Sequence, residues 1–225
     1  MKETVLIIGA TGNVGVSAVI ASLRSGRNVL AIVRNQASAE KMFKHVGTRE
    51  GITTVEVDVI SEDGVAGVVD KVRAGTLPGF QHVYSADAYR ATIPYLLSQA
   101  NPHSTYTLIT GSSGDLGIIA VTGITQGALY ALANAAILEN AQTNIRFNEV
   151  CLKYRVDYDS VSEGRTAGQS IKASEFARVY EGVLERREVD GCRVVVEGKG
   201  DVEVLRFEGK IGHGLTNEAV AGIVL

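Results

Sequence analysis

The stretch VLIIGATGNVGVSAVIASLRSG, Val5–Gly26, decides the fold. Its first four residues are apolar, the pattern of a strand buried on both faces. Three glycines follow at three-residue spacing: Gly9, Gly12 and Gly15. Beyond them Val14–Ser25 reads as a helix, closed by Gly26. A strand, a glycine turn and a helix in this order make a cradle for a pyrophosphate, because the first amides of a helix point at whatever anion sits on the turn. Gly9 and Gly12 permit the tight turn and the close approach of a ligand, and Gly15 is expected to let the helix pack on the sheet. Thr11, Asn13 and Val14 complete the expected loop.

Working outward, apolar runs alternate with helical stretches. Strands are expected at Val5–Ile8, Val29–Val33, Ile52–Val57, Phe80–Ser85, Tyr106–Thr110, Ile145–Leu152 and Cys192–Glu197. Helices are expected at Ala37–Val46, from a cap at Ser61 to about Arg73, at Thr92–Gln99, at Thr122–Ala141 and at Ser174–Arg187. Strands that are apolar throughout, each followed by a helix, imply an α/β domain with a doubly wound parallel sheet. One such domain accounts for all 225 residues, with a tail from about residue 208. EGKGD reads as a hairpin turn into an added antiparallel strand, VEVLRF. The polar run Ser160–Gln169 is either a plain surface loop or a lid.

Composition narrows the function classes. Apolar residues make up 45%, charged residues 21%, and the net charge is −3. Nothing here marks a nucleic-acid or anionic-membrane binder. The apolar run near the N-terminus is too short for a secretory leader, and no segment is expected to cross a bilayer. Cys151 and Cys192 lie in apolar runs and are expected to be buried, reduced thiols. The four histidines have no metal-ligand spacing. A metal-free, cytoplasmic protein acting on a small molecule is the expectation.

The second strand ends in VLAIVRNQ, where selectivity for NAD would place an acidic residue against the ribose. Arg34 stands there instead. Its guanidinium matches a 2′-phosphate, so the expected cofactor is NADP(H). Asp58 and Val59, closing TVEVDV, are placed for the adenine edge. The polar-cap reading of Asp58 stays open beside it.

In this order the motifs resemble those of the short-chain dehydrogenases/reductases. GATGNVG is similar to the family's glycine loop and VEVDV to its adenine-side strand. YSADA stands where NNAG is usual, LITGSSG where a strand ends in serine, and NIRFNEV where GIRVNAV is usual. The resemblance implies a cofactor contact at Ser85 and Ala86, and a substrate-orienting role for Ser112 or Ser113. It also implies a Tyr-x-x-x-Lys pair opening the long helix. Aligned on NIRFNEV, Thr122 falls at the tyrosine position and Gln126 at the lysine position. Tyr130, the other candidate, lies eight residues inside the helix, expected roughly 12 Å below the ligand edge at helical rise.

The proton donor and its activating cation are thus expected to be missing, with Gln126 left to bond a ribose hydroxyl. Three readings follow. The chain reduces an activated C=N or C=O group, with Asp87, Asp115 or Asp157 stabilising charge or Tyr84, Tyr89, Tyr154 or Tyr158 donating a proton. It binds the cofactor but catalyses a non-redox isomerisation or cyclisation. Or it is a nucleotide-sensing regulator. The small residues of the 122–141 helix, with the resemblance, imply a homodimer or homotetramer.

Overall fold

Seven parallel strands and one antiparallel edge strand form a single sheet in the computed structural model, which describes residues 2–61, 63–85, 88–117 and 119–210. The chain runs β1 (Thr4–Ile7), α1 (Asn13–Arg24), β2 (Asn28–Val33), α2 (Gln36–Val46), β3 (Ile52–Glu56), α3 (Gly64–Arg73), β4 (His82–Ser85), α4 (Tyr89–Gln99) and β5 (Thr105–Gly111). Next come a short α5 (Ser113–Leu116), the long α6 (Ala120–Asn140) and β6 (Arg146–Leu152). The remainder is β7 (Val156–Asp157), α7 (Asp159–Glu163), β8 (Ile171–Lys172), α8 (Ala173–Glu185), β9 (Cys192–Val196) and β10 (Phe207–Gly209).

The sheet order is β10-β9-β6-β5-β4-β1-β2-β3. Winding goes outward from β1 to β3, then returns across the sheet to β4 on the other side of β1. That reversal opens a crevice above the carboxyl ends of β1 and β4, the usual ligand position in such sheets. β1 and β4 are buried along their whole length, as strands at the centre of a doubly covered sheet must be. Val16 and Val19 of α1 join Phe176 and Val183 of α8 in one core. Val68 and Val72 of α3, Leu96 of α4 and Ala133 and Ala136 of α6 join a second core. Both cysteines are buried and free.

Several local expectations need correction. Ser61 does not cap α3: its hydroxyl donates to the Asp58 carbonyl, and Asp63 holds the cap position. The turn after β9 is a short 3₁₀ helix, Lys199–Val202, so the added strand begins only at Phe207 and pairs antiparallel with β9. The expected tail lies outside the described residues from residue 211 onward. Residues 160–169 form no plain surface loop. Buried hydroxyls of Ser162, Thr166 and Ser170 bond one another, and Thr166 donates to Asp157 at 2.8 Å.

Contrary to expectation, one helix among the described residues is long and apolar enough to cross a membrane by length and composition, namely α6. Its inner face packs Ala133, Ala136 and Ile137 into the second core, while its outer face shows Val121 and Ile124 to solvent.

Candidate active site

The crevice is floored by the glycine loop. Gly9 takes a φ of +79°, in the left-handed region that a side chain strains. The Gly12 amide donates to the Gly9 carbonyl at 3.1 Å, which closes the turn. Gly12 then caps α1 without any side-chain acceptor on its first amides, leaving them to face an anion. At Gly15 a Cβ would lie 2.0 Å from the Gly9 carbonyl oxygen and 2.8 Å from its carbon. The expectation that Gly15 serves helix–sheet packing is thereby corrected: it lets α1 rest on the backbone of its own loop.

Two cavities meet at Gly9. The first, about 630 Å³, is lined by the loop from Gly12 to Gly15, by Tyr84 and Ser112, and by residues 152–156. The second, about 590 Å³, is lined by Thr11, Arg34, Ser38, Lys41, Asp58 and Val59 among others. A cradle that a Cβ would fill, flanked on either side by a cavity, fits a dinucleotide whose pyrophosphate crosses Gly9. Arg34, Ser38 and Lys41 present two cations and a hydroxyl together in the second cavity. The Asn35 side chain fixes this corner by accepting from the Ser38 amide at 2.9 Å. Sequence reading had not singled out Ser38 and Lys41, although their three-residue spacing at the start of a helix puts them on one face.

The structure therefore gathers Gly9, Thr11, Gly12, Asn13, Val14, Gly15, Arg34, Asp58, Val59 and Ser112 around the two cavities. Other candidates stand elsewhere. Ser85 is buried, and its hydroxyl accepts from the Ala88 amide at 3.1 Å. Ala86 and Asp87 lie outside the described residues. Ser113 opens α5, and neither it nor Thr122 nor Gln126 lines the first cavity. Gln126 accepts from the Gly111 amide at 2.7 Å, so its carbonyl is committed to β5.

Tyr130 was expected well below the ligand edge, and this is corrected. Its hydroxyl donates to the Gly111 carbonyl at 2.6 Å, at the last residue of β5. The first turns of α6 thus stand above the sheet, and the helix enters it later than its sequence start implied. Tyr130 still does not line the cavity. Burial and the neighbouring Cys151 push its phenol up, away from the range of a useful acid.

Asp157 is corrected as a charge-stabilising candidate. It is 3% exposed and bonded by Arg155 at 2.6 Å, Thr166 at 2.8 Å and Asn13 at 3.2 Å. Burial opposes its ionisation, but these donors prevail and hold the carboxyl below its ordinary range. It ties β7 to α1. Asp115 pairs with Lys153 and Arg193, each at 3.8 Å.

The four tyrosines separate as well. Tyr158 donates to the Thr11 carbonyl at 2.5 Å and stacks on His45 with centroids 3.7 Å apart, clamping the loop from behind. Tyr89 bonds Glu139 at 2.6 Å and is pushed up to about 12 by burial and that carboxylate. Tyr84 accepts from Tyr180 at 3.1 Å and is fully buried against it, with its phenol raised by desolvation. Tyr154 lines the first cavity together with Tyr84.

A glycine cradle between two cavities at the switch point of a doubly wound sheet defines a nucleotide-binding α/β protein. Comparison with known proteins narrows the class. Residues 1–76 match the model of the NmrA-like family. The short-chain dehydrogenase/reductase iacG of Pestalotiopsis fici is 49% identical, over 95% of this chain and 99% of that one. The alignment runs over 246 positions, more than this chain has residues, so the relative carries insertions. A short-chain dehydrogenase from Streptomyces avermitilis superposes with a TM-score of 0.70 at 15% identity, over 90% of each chain. A Brucella melitensis structure titled as a glucose/ribitol dehydrogenase superposes with a TM-score of 0.66 at 20% identity, over 88% of this chain and 99% of that one. The chain belongs to the short-chain dehydrogenase/reductase family, whose members bind nicotinamide nucleotides. No tyrosine in it is followed four positions later by lysine.

Proposed function

We propose that this protein is an NADP(H)-dependent reductase of the short-chain type with a non-standard acid site, acting on an activated C=O or C=N group of a small molecule. The observation that carries the reading is the pair of cavities joined at Gly9, one holding Arg34, Ser38 and Lys41 and the other Ser112. Bound NADPH supplies a hydride donor. The protein's part is to seat the pyrophosphate on the α1 amides, to hold a 2′-phosphate by charge in the second cavity, and to orient the substrate at Ser112.

Arg34→Ala tests the cofactor preference. Hydrogen bonds to charged groups are worth roughly 1.5–3 kcal/mol, so NADPH affinity should fall by about tenfold or more while NADH affinity barely changes. Fluorescence titration with both nucleotides gives the answer, and an equal loss for both would remove the preference. Oxidation of NADPH in the presence of an activated ketone or imine tests turnover itself.

The assembly we propose is a homodimer or homotetramer built on α6. Val121 and Ile124 are 75% and 73% exposed, and a Cβ at Gly127 would meet nothing within 4 Å. With Ala128 these positions form an apolar stripe that a second α6 can approach closely. Ile124→Glu should convert the oligomer to monomers in light scattering, with the far-ultraviolet spectrum intact. A wild-type protein that is monomeric at micromolar concentration would end this proposal.

A further inference from the structure

Resting on that reading, we infer that Lys153 is the catalytic cation of the first cavity and that the substrate group it serves is a carbonyl, not an iminium ion. The wall of this cavity contains no Asp or Glu among the described residues; its ionic side chains are Lys153 and Arg155. Arg155 is committed to Asp157. The Lys153 side chain is 32% exposed and only loosely held, by Glu197 at 3.3 Å and Asp115 at 3.8 Å. Each of those carboxylates is shared with an arginine, Arg206 and Arg193 respectively. An ammonium has three N–H donors, and only the Glu197 contact is within hydrogen-bond reach. Donors therefore remain for a ligand.

Position follows from the sheet. The Ser112 amide donates to the Leu152 carbonyl at 3.3 Å, which ties the ends of β5 and β6 together. Residues 112 and 153 thus follow the ends of two paired strands, and both line the first cavity. A positive charge there repels an iminium ion and stabilises an oxygen that becomes negative. In water an ammonium and a phenol are acids of similar strength, about 10.4 and about 10, so a lysine can do what a tyrosine does elsewhere. In the step proposed, bound NADPH would supply a hydride to the substrate carbon, and the C=O π pair would move to oxygen. Oxygen takes a proton from Lys153 Nζ, and the amine is reprotonated by solvent. The products are an alcohol and NADP⁺.

The test uses the full-length protein with saturating NADP⁺ and two probes of equal shape and opposite charge, benzoate and benzamidinium, followed by calorimetry. Wild type should prefer benzoate. Lys153→Met should weaken benzoate by about tenfold or more with NADP⁺ affinity unchanged, and Lys153→Arg should restore it. In turnover, Lys153→Met should slow reduction of phenanthrenequinone by about a hundredfold, within the range for lost general acids. Reduction of an N-methylated dihydroisoquinolinium, which the cation repels, should instead become faster in Lys153→Met. Benzoate binding indifferent to position 153, or a quinone rate lost in Tyr154→Phe but kept in Lys153→Met, overturns this assignment alone. Failure of the wild type to bind NADP⁺ overturns the cofactor reading, and this assignment with it.

Discussion

Gly15→Ala should abolish tight NADPH binding and cost about 1–3 kcal/mol of stability, the usual range for overpacking. The added methyl would stand 2.0 Å from one backbone atom of the loop and within 3 Å of two more. Backbone cannot swing aside as the end of a flexible side chain does, so α1 must lift off the turn. Its first amides then lose their aim at the pyrophosphate. Gly12→Ala is the control for stability, since its Cβ would meet the Gly9 oxygen at 3.5 Å, an ordinary contact. Urea unfolding and nucleotide titration of both variants separate the effects. A Gly15→Ala protein that binds NADPH like its parent would falsify the cradle.

Glu149→Gln should destabilise the fold by about 3–5 kcal/mol, the cost of breaking a buried ion pair from one side. Glu149 is fully buried on β6. Thr110 donates to one of its oxygens at 2.6 Å, while Arg193 at 3.4 Å and Lys210 both pair with the other. Arg193 also lies over the Tyr130 ring at 4.3 Å, and Lys210 donates to the Tyr130 carbonyl at 3.1 Å. One carboxylate thus joins the end of β5, α6, β9 and the close of β10. Without its charge, two cations with side chains 18% and 10% exposed are left facing each other. The double variant Glu149→Gln/Lys210→Met should recover part of the loss, because it removes one of those charges. Denaturant midpoints decide the matter: a loss below about 0.5 kcal/mol would mean that the cluster contributes specificity and not stability.

The glycine turn and much of the second cavity's lining are legible for a physical reason. They come from the loop after β1 and from residues just past β2 and β3, so adjacency in sequence is adjacency in space. The glycine spacing carries the loop geometry, and Arg34 announces itself by standing where an acid is usual. The catalytic half was not legible in the same way. Helical rise alone places Tyr130 too deep, because the point at which α6 enters the sheet depends on how far the helix overhangs β5. No residue of the helix records that. Asp157 reads as an open carboxylate because its strand-end position is visible in the sequence and its three donors are not, Asn13 among them being 144 residues away. Lys153 follows an unremarkable apolar run and matches no motif, so nothing in the sequence marks it as lining the first cavity.

The sequence by itself determined the alternation of strand and helix, the doubly wound sheet and the phosphate loop, because each rests on local periodicity and on the freedom of glycine. Only the tertiary structure decided which ionisable groups face the cavities and which are spent on one another. Commitment of a charge depends on partners brought together by the sheet crossing: Asp157 with Asn13, Glu149 with Lys210, and Lys153 with Glu197. Burial and pairing are properties of the assembled packing, and no single segment contains them.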